Sequence, residues 1–333
     1  MSAEPRTIRL IGADEADGAL DFPSLIAALR AGHRAGVAAS QRLLLAQPST
    51  GEGEDHLLVL AAWQRGQALG VKLASVFPAN AERGMPAIAS VFVLFDGETG
   101  APLAVIDATP LTIRKTAADS ALGADYLARR DARTLLMIGA GKQAPSLIEA
   151  HRVVRPGLAR VLVWNRTASA AEALAGRLRA QGLAVEATTD LEAAARGADV
   201  ICCATASRSP ILRGAWLAPG THVDLVGSFT PEMREADDEV ICRGRLYVDS
   251  RWFTAGVAGD LVQPIRDGVI AEADIAGDLF ELTQDKVPGR QSDAEITIFK
   301  NGGGGHLDLM AARLVYERAG RTINRGDHDA ATR

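Results

Sequence analysis

The sequence predicts an α/β protein in which a doubly wound parallel sheet is combined with a second, α+β layer. Strand-like and helix-like segments alternate between residues 134 and 248, as they do around parallel sheets. Four β-like runs with short turns precede them, which is typical of an antiparallel sheet. A last helix near the C-terminus has no partner in the alternating series, so we expect it to pack near the first layer.

The composition indicates a globular protein of about two domains, since the chain has 333 residues with 47% hydrophobic content. A net charge of −5 without a basic block argues against nucleic acid as a partner. The N-terminal residues form no apolar signal segment, and no apolar run approaches the roughly 20 residues that span a bilayer. We therefore expect a cytoplasmic protein with no membrane partner.

The three cysteines fit a reducing compartment. Cys202 and Cys203 are neighbours in an apolar run, and Cys242 stands alone. Their spacing is not that of metal ligands, so we predict no metal site. We interpret all three as small buried hydrophobic residues.

The first layer begins with a predicted helix over residues 21–38, with Asp21 as its N-cap and Pro23 in its first turn. Its expected apolar face contains Leu25, Ile26, Leu29 and Val37. A polar loop follows, and then the four β-like runs, which are Leu57–Trp63, Val71–Phe77, Ile88–Phe95 and Pro102–Asp107. Residues 96–100 predict a hairpin turn, and residues 116–129 predict a further helix.

The alternating part predicts six strands, at residues 134–138, 160–164, 183–187, 199–203, 221–226 and 245–248. It predicts helices at residues 142–153, 168–180 and 190–196. From about residue 250 the pattern loosens. A strand-like run from Ile296 and a glycine-rich loop precede the last helix, which we expect to end near Ala319 and to be followed by a polar, frayed tail after Arg321.

The strand at 134–138 leads directly into a Gly-x-Gly-x-x-Ala pattern and then a helix, which is the dinucleotide-binding fingerprint in its required context. The glycines permit a sharp turn close to a pyrophosphate, and the small alanine lets the helix pack on the strand. The predicted cofactor-binding residues here are Gly139, Ala140, Gly141, Lys142, Gln143 and Ala144. The alternative is a structural turn that binds nothing.

The second strand of the series ends at Trp164, and no carboxylate follows it. An acidic residue there would bind the ribose of NAD, whereas an arginine accommodates the 2′-phosphate of NADP. Arg166 supplies a guanidinium, and Asn165 and Thr167 add neutral hydrogen-bonding groups. The sequence therefore favours NADPH, with NADH as a weaker donor. The alternative is that Arg166 is a solvated residue at a helix start.

Further candidates follow the later strands, where open α/β sheets bind ligands. Thr205 and Ser207 are candidate cofactor contacts, with a helix cap as the alternative, and Ser228, Phe229 and Asn301 are also predicted to contact the cofactor. The glycines at 302–305 either let the backbone approach a ligand or form a mobile loop. His306 could donate a proton, although a lone histidine beside glycines is more often incidental.

Many ordered segments resemble the ornithine cyclodeaminase/mu-crystallin family over nearly the whole chain. They include 70–72, 116–118, 139–144, 164–167, 204–210, 220–223, 248–251, 259–260 and 299–300. The resemblance implies a Rossmann domain for NAD(P) at 116–300. It also implies a substrate-binding and dimerisation domain at 1–115, a return segment at 301–333 that packs on it, and a homodimer.

Position 229 distinguishes branches of this family. Cyclodeaminases and related alanine dehydrogenases carry an acid/base aspartate where this chain has Phe229, which cannot transfer protons. The surrounding segment, 226–235, is similar to the ketimine reductases. These enzymes reduce Δ1-pyrroline-2-carboxylate to L-proline and often Δ1-piperideine-2-carboxylate to L-pipecolate. In bacteria they serve breakdown of trans-3-hydroxy-L-proline, or of D-lysine and pipecolate.

The same resemblance implies how a small cyclic imino acid is bound. Arg42 matches the carboxylate-binding arginine, and Lys72 matches an active-site lysine that binds the carboxylate or donates a proton. Lys115 stands where the family usually has an arginine, so Arg114 is a possible substitute. Asp308 matches a family aspartate at the edge of the active site, and Phe229 can pack against the substrate ring or the nicotinamide.

Two alternatives stay open. One is another enzyme of the family, an ornithine cyclodeaminase or an alanine-dehydrogenase-like oxidoreductase, against which Phe229 counts. The other is a non-catalytic, mu-crystallin-like protein that binds NADPH or a small ligand. The presence of Arg42, Lys72 and the complete fingerprint counts against it.

Overall fold

The computed structural model describes residues 7–37, 39–49 and 54–329. The chain divides into two compact units. The terminal unit comprises the residues up to 115 together with those from 304 onward, and the central unit comprises residues 116–303. The predicted fold class is confirmed, because the central unit contains a doubly wound parallel sheet and the terminal unit contains an α+β layer from both chain ends.

The terminal unit opens with two short elements that the sequence pattern does not predict, β1 (Arg9–Ile11) and α1 (Ala13–Gly18). The first predicted helix is α2 (Phe22–Ala35). It ends before Val37, which is therefore not part of its apolar face. Ala38, the last residue of the predicted range, lies outside the described residues.

The start of α2 is the predicted one. The side chain of Asp21 accepts a hydrogen bond from the backbone N–H of Ser24 at 3.0 Å, and Pro23 lies in the first turn. An N-cap of this kind contributes about 1 kcal/mol to helix stability. Leu25, Ile26 and Leu29 are buried, so this part of the predicted apolar face is confirmed.

The sheet of the terminal unit has six strands in the order β1-β6-β5-β4-β3-β2. Its long strands are β2 (Ala39–Pro48), β3 (Glu54–Gln64), β4 (Ala68–Val76), β5 (Ile88–Asp96) and β6 (Pro102–Asp107). Each of these pairs antiparallel with the next, whereas β1 runs parallel to β6. A 3₁₀ segment, Pro78–Arg83, lies between β4 and β5.

Strand β2 is the main element that the sequence pattern misses. Its side chains are exposed along nearly the whole strand, so there is no alternation of polar and apolar residues to indicate a strand. Three consecutive leucines, residues 43–45, obscure any such period. The polar loop predicted before β3 falls largely on residues 50–53, which lie outside the described residues.

The predicted hairpin turn between β5 and β6 is confirmed. Asp96 Oδ1 accepts hydrogen bonds from the backbone N–H and the hydroxyl of Thr99, both at 2.7 Å. Gly100 has a φ of 69°. The helix that follows, α3 (Ala108–Leu127), begins at Ala108 rather than at residue 116. Pro110 does not prevent this, because it lies in the first turn, where its missing N–H has no intrahelical acceptor.

The central unit contains an eight-stranded parallel sheet in the order β13-β12-β14-β11-β10-β7-β8-β9. Its predicted elements are β7 (Thr134–Ile138), α4 (Ala144–Val154), β8 (Arg160–Trp164), α5 (Ala168–Ala180), β9 (Val185–Ala187), α6 (Leu191–Arg196), β10 (Val200–Cys203) and β11 (His222–Leu225). These confirm the predicted alternation.

The later part of the central unit is more regular than the sequence pattern indicates. It contains α7 (Asp238–Arg243), β12 (Arg245–Val248), α8 (Arg251–Thr254), α9 (Gly259–Arg266), β13 (Ile275–Asp278), α10 (Leu279–Thr283) and β14 (Thr297–Lys300). Of these elements, the sequence pattern predicts only β12 and the strand-like run at β14. The others have four to eight residues each, which is too short for a hydrophobic period to be recognised.

The last helix, α11 (Gly305–Asp329), belongs to the terminal unit and packs on α2, β3, β4 and β5. It continues ten residues beyond the expected end at Ala319, so the backbone is helical where a frayed tail was expected. Residues 330–333 lie outside the described residues. Across the described parts of the chain, no helix has both the length and the apolar character that a membrane span requires.

Candidate active site

The turn after β7 has the geometry that the fingerprint requires. Gly139 has a φ of 109°, and a Cβ there would come within 2.5 Å of the carbonyl oxygen of Ala204. Gly141 has open space where its side chain would be, so another molecule can approach the backbone closely. Ala144 is buried at the start of α4, as helix-on-strand packing requires. These residues fit the pyrophosphate of a dinucleotide.

The other residues of this turn lie around its open side. Lys142 is exposed, and Ala140 and Gln143 are partly buried. Gln143 occupies the N-cap position of α4, but its side chain makes no capping hydrogen bond. The first turn of α4 therefore keeps backbone N–H groups that its N-cap side chain does not occupy.

The turn after β8 carries the three residues predicted to select the nucleotide. Asn165 connects this turn to the fingerprint, because its Oδ1 accepts from the Ala140 N–H at 3.3 Å and its Nδ2 donates to the Thr167 carbonyl at 3.1 Å. Arg166 and Thr167 are exposed. Thr167 is the N-cap residue of α5 without a side-chain capping bond. The guanidinium of Arg166 is thus accessible to a 2′-phosphate.

Thr205 and Ser207 follow β10 but cap no helix, so the helix-cap alternative is wrong. The backbone N–H and the hydroxyl of Thr205 both donate to Glu235, at 2.7 and 2.8 Å. The Ser207 hydroxyl donates to the carbonyl of Ser209 at 2.6 Å. Sequence reasoning assigned no role to Glu235, because nothing in the local pattern links it to Thr205.

Three further predicted cofactor contacts follow β11 and β14. The hydroxyl of Ser228 donates to the Met233 carbonyl at 2.8 Å. The Asn301 amide donates to the Thr116 carbonyl and to Ser120 Oγ, at 3.0 and 3.1 Å. Phe229 is 56% exposed. The Ser228 hydroxyl and the Asn301 amide therefore stabilise loops of the central unit, while Phe229 is exposed to solvent.

The glycine-rich loop after β14 is anchored rather than free at its start. The backbone N–H groups of Gly302 and Gly303 donate to Asp249 Oδ2 at 2.9 and 2.6 Å. Asp249 also accepts hydrogen bonds from the Ser250 N–H and the Thr254 hydroxyl. Burial raises the pKa of Asp249 to about 6, while these four donors oppose the rise. The mobile-loop interpretation therefore does not hold for Gly302 and Gly303.

The terminal unit brings together three of the residues predicted to bind substrate. Lys72 on β4 places its Nζ 2.8 Å from Asp308 Oδ2, and Lys115 on α3 places its Nζ 3.7 Å from Asp308 Oδ1. All three side chains are buried. Burial lowers the pKa of Lys72, and the charge of Lys115 adds to this effect while Asp308 opposes it. This cluster, the Asp308 cluster, carries two cations and one anion.

Arg42 is related to this cluster by the register of the sheet. It pairs with Leu60 on β3, and Leu60 pairs with Lys72 on β4. Directly opposed residues project from the same face of an antiparallel sheet, so Arg42 shares a face with Lys72. Two strand spacings, about 10 Å, separate their backbones. Arg42 is exposed, and an extended arginine side chain reaches across much of that distance.

Arg114 and His306 contact other groups of the terminal unit. Arg114 donates to both carboxylate oxygens of Asp17, at 2.8 and 3.0 Å, and stacks over Phe22. Lys115 is therefore the residue of this pair that reaches Asp308. His306 is buried edge-on to His33, and burial holds its pKa well below the usual range, so it is neutral near pH 7.

The cysteines need two corrections. Cys242 is exposed, so the interpretation of all three as buried residues is wrong for this one. Cys202 is buried but is more than an apolar residue, because its thiol donates to Asp224 Oδ2 at 3.1 Å. The Nε2 of His151 lies 3.5 Å from the same oxygen. His151, Cys202 and Asp224 thus place one nitrogen, one sulfur and one oxygen atom within 4.8 Å of one another, and all three residues are buried.

Comparison with known proteins identifies the family. The model of the ornithine cyclodeaminase/mu-crystallin family matches residues 24–322. This chain belongs to that family. It is 42% identical over 315 residues to a Δ1-pyrroline-2-carboxylate reductase of Paracoccus denitrificans, covering 95% of this chain and 98% of that protein. The resemblance inferred from the sequence is thereby confirmed.

Two solved structures are similar over almost the whole chain. One is the Thermococcus litoralis Δ1-pyrroline-2-carboxylate reductase in complex with NADH and L-proline, with a TM-score of 0.86, 28% identity, and coverage of 96% of this chain and 98% of that one. The other is an archaeal alanine dehydrogenase dimer with bound NAD, with a TM-score of 0.85, 28% identity, and coverage of 95% and 97%.

Proposed function

We propose that this family member is an oxidoreductase that reduces the C=N bond of cyclic ketimines, chiefly Δ1-pyrroline-2-carboxylate to L-proline, with NADPH as donor. The observation that carries substrate binding in this proposal is the Asp308 cluster, in which two buried lysines share one carboxylate, and Phe229 favours reduction over deamination. Its extra positive charge suits an anionic substrate. The reductase of Paracoccus denitrificans, at 42% identity, supports the choice of reaction.

In this proposal the terminal unit binds the substrate and the central unit binds the dinucleotide. The imino acid carboxylate neutralises the excess positive charge of Lys72 and Lys115. Arg42 adds a third cation on the same face of the sheet. Charge-assisted hydrogen bonds of this kind are about twice as strong as neutral ones. They fix the plane of the ring, which a hydride transfer requires.

A nicotinamide held at the fingerprint would supply the hydride to C2 of the imine, and the C=N π electrons would move to the ring nitrogen. That nitrogen needs one proton, either already present on the iminium or delivered by a residue. Lys72 is suited to deliver it, because burial lowers its pKa and so weakens its hold on the proton. Phe229 cannot serve, which is tolerable for reduction and not for activation of water.

Exposed Arg166 supports NADPH as the preferred donor, with NADH weaker, because a guanidinium binds a phosphate in two-point fashion. Following the family resemblance, we also propose Δ1-piperideine-2-carboxylate as a second substrate and a role in degradation of trans-3-hydroxy-L-proline. The three unpaired cysteines suit the reducing cytoplasm, where we place the protein.

We further propose a homodimer formed through the open face of the terminal sheet. Strand register places Leu43, Leu45, Leu57, Trp63 and Val91 on the face opposite Lys72, and all five are exposed. A contiguous apolar surface of this kind indicates a protein interface. The similar alanine dehydrogenase is a dimer, which supports a second copy of this chain as the partner.

The function is tested by mixing the purified protein with Δ1-pyrroline-2-carboxylate and either NADPH or NADH. We expect loss of nicotinamide absorbance and formation of L-proline. Release of ammonia from ornithine without added cofactor would instead identify a cyclodeaminase. Binding of NADPH and imino acid without turnover would identify a mu-crystallin-like binding protein.

The variant Lys72→Ala should lower kcat/KM for the imino acid by about a hundredfold or more. The substrate carboxylate would lose one partner of a buried charge pair, which costs ~2–5 kcal/mol of binding free energy. NADPH binding, measured by fluorescence titration, should be unchanged. Lys286→Ala, which removes an exposed lysine of the central unit, is the matched control and should behave as wild type. Full turnover by Lys72→Ala would remove Lys72 from the mechanism.

The variant Arg166→Asp should raise KM for NADPH about tenfold or more and change KM for NADH little, since the new carboxylate repels the 2′-phosphate. Arg160→Asp, at the first residue of β8, the strand that precedes Arg166, controls for the change in charge. An equal rise in KM for NADPH and for NADH would show that Arg166 does not bind the 2′-phosphate.

The double variant Leu43→Glu/Leu45→Glu should convert a dimer to a monomer in sedimentation or light-scattering measurements, because four carboxylates would be buried in one symmetric interface. Leu10→Glu on β1, where Leu10 is 81% exposed, is the control and should remain dimeric. An unchanged mass for the double variant would place the interface elsewhere.

A further inference from the structure

The carboxylate of Glu235 connects two neighbouring turns at the carboxyl edge of the central sheet. Its Oε1 accepts from the backbone N–H and hydroxyl of Thr205, after β10, and its Oε2 accepts from the Gly227 N–H, after β11, at 2.7 Å. The two turns are in close contact, because a Cβ on Gly227 would lie 2.0 Å from the Thr205 carbonyl oxygen.

Two further buried charges hold Glu235 in place. Asp260 Oδ1 accepts from the backbone N–H groups of Glu235 and Ala236, at 2.8 and 3.2 Å. Lys300 Nζ lies 3.6 Å from Asp260 Oδ2 and donates to the Leu225 carbonyl at the end of β11. The side chains of Glu235, Asp260 and Lys300 are all buried, so these interactions act in a low-dielectric environment that strengthens them.

We infer that Glu235 is a positioning residue of the dinucleotide site, which sets the spacing of the turns after β10 and β11 and the orientation of the Thr205 hydroxyl. The inference rests on the proposed dinucleotide site. In a doubly wound sheet the ligand lies outside the carboxyl ends of the strands at the point where the strand order reverses. Here that point is between β7, which carries the fingerprint, and β10.

The orientation of the hydroxyl follows from hydrogen-bond chemistry. An ionised carboxylate only accepts, so the single proton of the Thr205 hydroxyl must point at Glu235. The hydroxyl oxygen also accepts from the Ser207 N–H at 3.4 Å, so what it can still offer a ligand is a lone pair. It is therefore suited to accept from a donor such as a ribose hydroxyl or the carboxamide N–H of nicotinamide. Loss of the Glu235 charge would free the hydroxyl to rotate.

The charge of Glu235 is sensitive to pH near neutrality. Burial raises its pKa to about 7, while Lys300 and the donors at Thr205 oppose the rise and Asp260 adds to it. Cys203, also buried nearby, stays protonated because burial raises its pKa well above the usual value. Glu235 is therefore ionised above pH ~7 and neutral below it, and the cofactor site is expected to weaken as the pH falls.

The test is a fluorescence titration of the full-length protein with NADH, whose diphosphate does not titrate in this range, between pH ~6 and pH ~8. We expect the Kd of the wild type to rise about fivefold or more as the pH falls. At every pH, Glu235→Gln should bind NADH with the Kd that the wild type has near pH ~6. Its kcat should fall by a smaller factor than its affinity for NADH. Glu239→Gln, an exposed change on α7, should keep the wild-type profile.

A pair of Thr205 variants keeps the inference testable if Glu235→Gln does not fold. Thr205→Val should weaken NADH binding, Thr205→Ser should retain it within about twofold, and the double variant with Glu235→Gln should be no weaker than Glu235→Gln alone. A wild-type profile in Glu235→Gln, or equal binding by Thr205→Val and the wild type, would overturn the inference. A wild type that binds neither NADH nor NADPH would instead overturn the dinucleotide site on which it rests.

Discussion

The arrangement of the terminal unit depends on the carboxylate of Asp308, which two buried lysines share. Burying an ion costs several kcal/mol unless its partners are well placed, and here two ammonium groups are buried against one carboxylate. The three groups come from β4, α3 and α11, so residues far apart in the sequence must be held together. Packing of α11 on β3, β4 and β5 supplies that constraint.

Strand register makes the arrangement specific. Because side chains alternate between the two faces of a strand, a slip of one residue in β4 would move Lys72 to the opposite face. The ten paired positions between β2 and β3 and the continuous pairing of β3 with β4 oppose such a slip. The same register keeps Arg42 on the cationic face and the exposed leucines Leu43 and Leu45 on the other. One sheet thereby presents two surfaces of different chemistry.

The central unit uses its buried acids differently. Glu235, Asp249 and Asp260 all accept backbone N–H groups from the turns and loops that follow strands. A carboxylate in that role stabilises a turn that no regular hydrogen-bond ladder supports. Such a carboxylate is also unsuited to shuttle protons, because each protonation would weaken its hydrogen bonds to the backbone N–H groups. Such acids resemble catalytic candidates in a sequence, and only their partners show otherwise.

The parts of the molecule that sequence predicts are those with local causes. The turn at Gly139, the hairpin at Asp96 and the cap at Asp21 each depend on residues within a few positions of one another. Strand β2 was not predictable because its partners, not its own pattern, make it a strand. The link from Glu235 to Thr205 spans 30 positions and was not predictable for the same reason.

The family resemblance added Lys72, Lys115 and Asp308 as candidates, and the fold explains why they belong together. Their excess positive charge is compensated when a carboxylate binds, whichever reaction follows, so the cluster alone does not separate reduction from deamination. The separation comes from the proton. Deamination needs a base that activates water, whereas an iminium already carries the proton that reduction requires. Exposed Phe229 supplies no base, and the buried carboxylates Glu235 and Asp260 hold backbone N–H groups. Phe229 therefore favours reduction over deamination.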